Sequence, residues 1–334
     1  MRQALIIAGP TCSGKSALAL ALAERLGGTV INADAMQCYR ELRVLTARPT
    51  PEEEARIPHA LYGVLPAAVA GSVAWWRDAA LEAMERARLP ILCGGTGMYL
   101  RALTQGLSAL PDVTPAAREE ARTLLAELGP EALHARLNAE DAAAIRPSDS
   151  QRIARAHEVW LSTGRSLAHW QRAAPLLPPA PYAFRAILLD PPREALRAAI
   201  AARWEAMLAG GAREEVAALL AQGLDPALPA MRAHGVPELA ALLRGEMTEA
   251  EASRRAIANT GAYTRRQATW FRHQPLVASR HVPSAAPRQG SFAAPRQAHI
   301  INARFASLAQ FSESELAKIF AFLREGVDGA VPPP

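Results

Sequence analysis

The 334-residue chain predicts an α/β fold, a parallel sheet flanked by helices with an all-helical subdomain inserted into it. Three observations carry that reading. Apolar runs without alternation at 3–8, 29–33, 90–93 and 184–190 have the pattern of strands buried on both faces, as in parallel sheets covered by helices. The first run passes through a glycine-bearing loop into a leucine-rich helix at 16–26 that stops at Gly27-Gly28. From 111 to 181 the strand pattern gives way to helical signals.

Along the chain, the 29–33 strand ends at Asp34 and the 90–93 strand at Gly94-Gly95. Thr114-Pro115 reads as an N-cap followed by proline at the first helical position. Ser148 with Gln151 reads as a capping box before a helix over 152–161, ended by Gly164. A loop at 175–181 closes the insertion, and the 184–190 strand returns the chain to the sheet. Helices follow at 192–209, 211–222 and 248–272, the last opened by Thr248 with Glu251 as a second capping box. After Gln274 the composition shifts to Pro, Ala, Ser and Arg, which reads as a flexible segment, with a short amphipathic helix at 312–325. The expected organisation is a core of 1–110 and 182–273, a helical insertion over 111–181 and a C-terminal extension over 274–334. No internal repeat is visible.

Half of the residues are hydrophobic and 21% are charged, which excludes disorder throughout. No run approaches the roughly 18 to 20 apolar residues of a membrane span, and the N-terminus lacks a cationic leader, so a cytoplasmic protein is expected. Cys12, Cys38 and Cys93 are odd in number and lack metal-ligand spacing, so reduced thiols are expected rather than disulfides or zinc. The net charge is +5, yet nine arginines and no acidic residue lie between 252 and 312; without those nine charges the chain stands at −4. Such a local basic surface fits a polyanion such as RNA, the neutral alternative being a solvated arginine-rich tail.

Gly9-Pro10-Thr11-Cys12-Ser13-Gly14-Lys15-Ser16 matches G-x-x-x-x-G-K-[ST] with a strand before it and a helix after it, which makes the fold P-loop NTPase-like. Its glycines let backbone N–H groups face phosphates, Lys15 reaches the terminal phosphate, and the Ser16 hydroxyl can hold Mg²⁺. ATP hydrolases place an acidic residue at the end of a later strand, whereas here Cys93-Gly94-Gly95-Thr96-Gly97 follows. That lowers the case for a motor or switch NTPase and leaves a small-molecule or nucleoside kinase open. Asp34 faces the same crevice, since ligands of open parallel sheets sit beyond the strand carboxyl ends. A carboxylate there can accept a proton; capping a helix or holding an outer-sphere water of Mg²⁺ are its neutral readings.

Taken with Asn32-Ala33-Asp34-Ala35-Met36-Gln37-Cys38-Tyr39-Arg40, Thr46-Ala47-Arg48-Pro49, Ile57-Pro58-His59, Gly94 to Arg101, Gln151 to Arg155 and Tyr263 to Arg272, the chain resembles the tRNA dimethylallyltransferases, also called tRNA isopentenyltransferases. The motifs stand in family order over about residues 3–273. The resemblance implies transfer of a dimethylallyl group from dimethylallyl diphosphate to N6 of the adenine on the 3′ side of the anticodon, in tRNAs reading codons that begin with U. It implies Asp34 as general base, Thr96 as the group that orients the amine or binds tRNA, and Arg203 as a diphosphate contact. It also places Asp34, Ala35, Met36, Gln37, Thr96, Arg118, Gln151, Arg152, Ile153, Ala154 and Arg155 against tRNA. Ala35 stands where serine is common, Ala60 where a second histidine often follows, Arg48 where lysine is usual and Val236 where tyrosine is frequent.

Helical periodicity adds to this. At 100° per residue Arg254, Arg265 and Arg272 fall within about 20° of one another, with Ile257, Tyr263, Trp270 and Phe271 opposite, so Arg265 and Arg272 are expected on an RNA surface and the aromatics in the core. Arg152 and Arg155 share a face of the insertion. The expected partners are a tRNA anticodon stem-loop and dimethylallyl diphosphate, with Mg²⁺, no membrane and a monomeric enzyme. A kinase would instead turn over ATP, and an RNA-binding module with a regulatory nucleotide site would form no modified base.

Overall fold

The computed structural model describes residues 2–108, 110–173, 176–273, 298–302, 304 and 313–324. In chain order the strands and helices are β1 (Arg2–Ala8), α1 (Lys15–Leu26), β2 (Thr29–Asn32), α2 (Pro51–Arg56), β3 (His59–Ala60), α3 (Val73–Arg86), β4 (Pro90–Gly94), α4 (Gly97–Thr104) and β5 (Leu107–Ser108). Then come α5 (Pro115–His134), α6 (Ala139–Ala144), α7 (Ser150–Thr163), α8 (Leu167–Ala173), β6 (Leu176–Leu177), β7 (Tyr182–Leu189), α9 (Arg193–Ala209) and α10 (Ala212–Leu220). α11 (Val236–Leu243), α12 (Glu249–His273), β8 (Ala298–Ile301) and α13 (Glu313–Arg324) complete the described residues. Two compact units result, Met1–Gln105 with Pro179–Pro334, and Gly106–Pro178.

The first unit is built on a six-stranded parallel sheet in the order β3-β2-β4-β1-β7-β8. Both faces of its strands are covered. Ile6, Ile31, Leu92 and Leu188 pack with Trp76, Tyr39 and Phe271 on one side. Leu5, Ile7, Ile91 and Ile187 pack on the other against Leu18 and Leu22 of α1 and Ile319 and Phe322 of α13. Two-sided burial is the physical cause of the unalternating apolar runs. β1 and β4 are neighbours, so the loops that follow them open at the same end of the sheet. At that end Gly94 lies so close to the backbone of Ala33 that a Cβ there would collide with it, so only glycine lets β4 finish beside β2.

The second unit holds α5 to α8 and the two-residue antiparallel pair β5-β6. Leu133, Ile153 and Val159 form its core. Thr114 caps α5 by accepting from Ala117 N, with Pro115 at the first turn, as the sequence predicts. α7 begins differently: Asp149, not Ser148, is its cap, because the Asp149 carboxylate accepts from Arg152 N and also pairs with the Arg152 side chain. Gly164 ends α7 in the left-handed conformation. Asp141, almost fully buried, accepts from Leu167 N and Ala168 N and so fixes the start of α8.

Thr248 accepts from Glu251 N before α12, while the Glu251 carboxylate pairs with Arg254 and Arg255. The helix expected at 312–325 is α13. β8 was not expected; it extends the sheet beside β7 in the register Ala186↔Ala298 to Leu189↔Ile301. The flexible segment expected after Gln274 lies, as far as residue 297, outside the described residues.

Candidate active site

The phosphate loop joins β1 to α1. Gly14, at φ 97°, opens the helix, and Cys12 is held in the left-handed region at φ 64°. Lys15 turns back into the loop and donates from Nζ to Pro10 O at 2.7 Å. Burial pushes its pKa below the ordinary lysine value; Cys93 and Asp34 oppose that shift and Arg203 adds to it. Four groups on separate elements thus share one electrostatic environment. Ser13 Oγ and Arg203 Nε are buried without a protein hydrogen-bond partner among the described residues, the kind of unsatisfied donor an anion satisfies.

Asp34 follows β2 and begins a tight turn. Its backbone N donates to Asn32 Oδ1 at 2.8 Å, and its own Oδ1 accepts from Met36 N at 3.0 Å. This is an Asx turn rather than a helix cap, since the short 3-10 turn at Met36–Cys38 starts from Ala35, and it engages one carboxylate oxygen of Asp34 while leaving the other available to a ligand. Thr96 N donates to Ala33 O at 3.1 Å, and Thr96 Oγ1 accepts from Ala35 N at 3.0 Å. The turn after β2 and the loop after β4 are stitched together by Thr96. Gln37 donates to Thr46 O and Ala47 O, so its amide shapes the protein's own 46–47 turn.

Arg203, on α9, reaches the tip of the phosphate loop: Nη1 points at Cys12 Sγ at 3.8 Å and Nη2 donates to Thr46 O at 3.1 Å. Sequence reasoning missed the support behind this arrangement. The Glu215 carboxylate accepts from the backbone N of Arg43, Val44 and Leu45 at 2.7, 2.6 and 2.9 Å, fixing the segment whose Thr46 carbonyl holds Arg203. Arg48 donates to Tyr39 O and Arg40 O, and its guanidinium stands over Gly63, where a Cβ would meet it.

α12 presents two faces. Phe271 is buried and Trp270 packs edge-to-face on it, both in the core as expected. Tyr263 lies near Thr96 and Gln267, and burial raises its pKa. The opposite face borders a groove of about 660 Å³ between α9 and α12, lined by Arg193, Arg197, Arg265 and Arg272 around Asp190. Ile257 lines this same groove, a correction to its expected position opposite the arginines. At 100° per residue Ile257 stands only about 60° from Arg254, on the groove side of α12, where Leu196 and Ile200 of α9 offer an apolar surface. Arg272 pairs with Asp190 at 3.7 Å, and Arg254 is taken by Glu251.

Within the second unit Arg118, Gln151 and Arg152 are exposed. Ile153 is fully buried in that unit's core, so direct RNA contact by its side chain is excluded and its part is to hold α7. Ala154 is half-buried, and Arg155 pairs with Glu158 at 3.0 Å.

Among the described residues no group of three His, Cys, Asp or Glu side chains is placed to hold a metal ion. Mg²⁺ dehydrates reluctantly and binds through few protein oxygens plus substrate phosphates. The exposed Ser16, at the head of α1 and hydrogen-bonded to the Cys93 thiol, fits an ion that arrives with a diphosphate.

Comparison with known proteins bears on all of this geometry. The family model for IPP transferase matches residues 37–274, and that for isopentenyl transferase matches residues 2–58. The chain is 57% identical over 330 residues to the tRNA dimethylallyltransferase of Granulibacter bethesdensis, covering 97% of this chain and 98% of the relative. It is 62% identical over 282 residues to that of Gluconacetobacter diazotrophicus, covering 82% and 85%. Among solved structures, the full-length tRNA isopentenylpyrophosphate transferase of Bacillus halodurans matches with a TM-score of 0.63 at 27% identity, covering 97% of this chain and 96% of that one.

Proposed function

The chain belongs to the IPP transferase family, the tRNA dimethylallyltransferases, and from that premise we propose the site's mode of action on its substrates. The protein is a prenyltransferase that moves a dimethylallyl group onto tRNA. The finer reading is that the donor is dimethylallyl diphosphate and the acceptor is N6 of the adenine 3′ to the anticodon, in tRNAs reading codons that begin with U. The observation that carries it is that β1, β4 and β2 run side by side in parallel, so the phosphate loop opens at the same sheet end as Asp34. Lys15, with Ser13 Oγ and Arg203 Nε unpartnered among the described residues, makes it a cradle for a leaving anion beside a carboxylate that can take a proton.

The donor's C–O bond breaks as diphosphate leaves, the N6–C bond forms, and an N6 proton passes to Asp34. Negative charge grows on the leaving oxygens, where the backbone N–H groups of Gly14 to Ser16 at the head of α1, Lys15 and Arg203 would donate; each such donor contributes about 3 kcal/mol in a dry site. A Mg²⁺ ion held by Ser16 and the diphosphate would supply further charge neutralisation. Thr96 holds the turn that carries Asp34 and so sets the base against the incoming amine. The adenine leaves its stack at a cost of a few kcal/mol, which a loop keeps low. Arg118, Gln151, Arg152, Arg155, Arg265 and Arg272 are the proposed tRNA contacts, in a cytoplasmic monomer.

Incubation with dimethylallyl diphosphate, Mg²⁺ and an unmodified anticodon stem-loop is expected to give N6-prenylated adenine by nucleoside mass spectrometry. Consumption of ATP with no added prenyl group would make the kinase reading correct instead.

A further inference from the structure

Gln267 lies on the face of α12 opposite the arginine groove and is 4% exposed. Its side-chain amide joins two loops that are far apart in sequence. Oε1 accepts from Thr11 N of the phosphate loop at 2.9 Å, and Nε2 donates to Gly95 O of the loop after β4 at 3.1 Å. The orientation of the amide is unambiguous, because a backbone N–H needs the oxygen and a backbone carbonyl needs the nitrogen. Close fit accompanies the hydrogen bonds. A Cβ on Gly95 would collide with the Gln267 amide, and one on Gly97 with the indole of Trp270, so both glycines are required by the helix pressed against them.

We propose that Gln267 is a positioning residue for prenyl transfer, whose amide sets the spacing between the diphosphate cradle and the loop that carries Thr96. The proposal rests on the transferase reading and deepens it. One loop holds the leaving group, and the other fixes the turn that bears Asp34. Their separation sets the distance from the allylic carbon to the attacking nitrogen. A misplacement on the order of 1 Å costs about 100-fold in rate, so a single buried amide bridging the loops has the leverage to control turnover.

Tyr263 lies beside both Gln267 and Thr96. Residues 263, 267 and 270 occupy successive turns of one helical face, so α12 grips the loop after β4 along its length. The groove face of the same helix carries Arg265 and Arg272. One face of α12 therefore braces the donor cradle while the other carries the proposed RNA surface.

Two substitutions test this. Gln267→Met keeps the length and removes both hydrogen bonds; Gln267→Glu keeps the acceptor for Thr11 N and can donate to Gly95 O only when its carboxyl is protonated. Q267M is expected to lower kcat/KM for dimethylallyl diphosphate about 30- to 100-fold and to weaken inorganic diphosphate binding about tenfold, with the anticodon stem-loop KM unchanged. Q267E is expected to gain activity relative to wild type as pH falls from 8.5 to 6, since a buried carboxyl facing a carbonyl takes up its proton readily. A flat Q267E-to-wild-type ratio across that range, or a Q267M enzyme that keeps wild-type kcat/KM and wild-type diphosphate affinity, overturns the proposal. Wild-type enzyme that forms no prenylated adenine counts against the transferase reading alone, because diphosphate affinity still reports on Gln267.

Discussion

Thr96 Oγ1 and Ala35 N are 3.0 Å apart, so the loop after β4 grips the turn after β2 through a backbone amide that any residue but proline at position 35 would supply. The alanine found where the family commonly has serine therefore leaves this connection whole. The hydroxyl of Thr96 is the part that cannot be lost. Thr96→Val is expected to lower the single-turnover rate of prenyl transfer by about 10- to 100-fold, and Thr96→Ser to retain most of it. Equal rates for the two variants would show that the hydroxyl has no part in holding Asp34.

Asp34 has two tasks, and a single substitution separates them. Asn at this position can still accept from Met36 N, so Asp34→Asn preserves the turn while removing the proton acceptor. Transfer is expected to slow about 10²- to 10⁴-fold with inorganic diphosphate affinity within a factor of two or so of wild type. Calorimetric diphosphate titration alongside rapid-quench kinetics makes the measurement. Parallel loss of affinity and rate would recast Asp34 as a ligand for the donor or its metal.

Much of this molecule is written locally. Strands buried on both faces announce themselves as unbroken apolar runs, and the phosphate loop is a contiguous string whose geometry follows from its glycines and one lysine. Asp34 is legible because it stands at a strand end, and Thr96 through the string from Gly94 to Arg101 that carries the family resemblance. Glu215 and Gln267 are not, because their partners lie about 170 and 256 positions away and an isolated polar residue on a helix carries no local sign of what it reaches. β8 escapes notice because a four-residue edge strand after an Ala- and Pro-rich stretch offers too little periodicity, and its stability comes from β7. The Asp149 cap shows a milder version: a capping-box pattern one residue away competes with the stronger carboxylate acceptor.

Cys93 occupies the strand end where ATP hydrolases keep a carboxylate. Burial, opposed by Lys15, pushes its thiol up from 9.0 to about 11. The thiolate is the reactive form, so a shift of that size cuts its share near neutral pH about 100-fold. Alkylation by iodoacetamide at pH 7.5 is expected to be slower at Cys93 than at an unperturbed thiol by about that factor, and to accelerate as pH rises toward 11. Peptide mapping of the labelled cysteine gives the rate. Rapid modification at neutral pH would mean the strand end is open and electropositive.

Arg265 and Arg272 line one groove yet are not equivalent, because Arg272 already pairs with Asp190. Arg265→Glu is expected to raise the anticodon stem-loop KM with little change in donor KM. It should also reduce the slope of log affinity against log salt by about 0.7 to 0.9 for each phosphate left without its cation. Arg272→Glu adds like-charge repulsion with Asp190, so it should also lower thermal stability. A salt slope unchanged by both substitutions would remove this groove from the RNA surface.

Lys15 gives the site a pH dependence whose sign follows from burial. Its pKa is lowered from 10.5 in the folded protein. Between that lowered value and 10.5 the unfolded chain binds more protons than the native state, so the contribution of Lys15 to stability rises with pH across this window. Diphosphate affinity moves the other way, because the anion needs the ammonium and neutral Lys15 predominates above the lowered pKa. Binding of inorganic diphosphate should therefore take up protons in this range, giving a binding enthalpy that differs between buffers of different ionisation enthalpy. Lys15→Met is expected to abolish both the proton uptake and most of the affinity. Persistence of the uptake in that variant would assign it to another group, with the Cys93 thiol, close to Lys15 and pushed up to about 11, the first to examine.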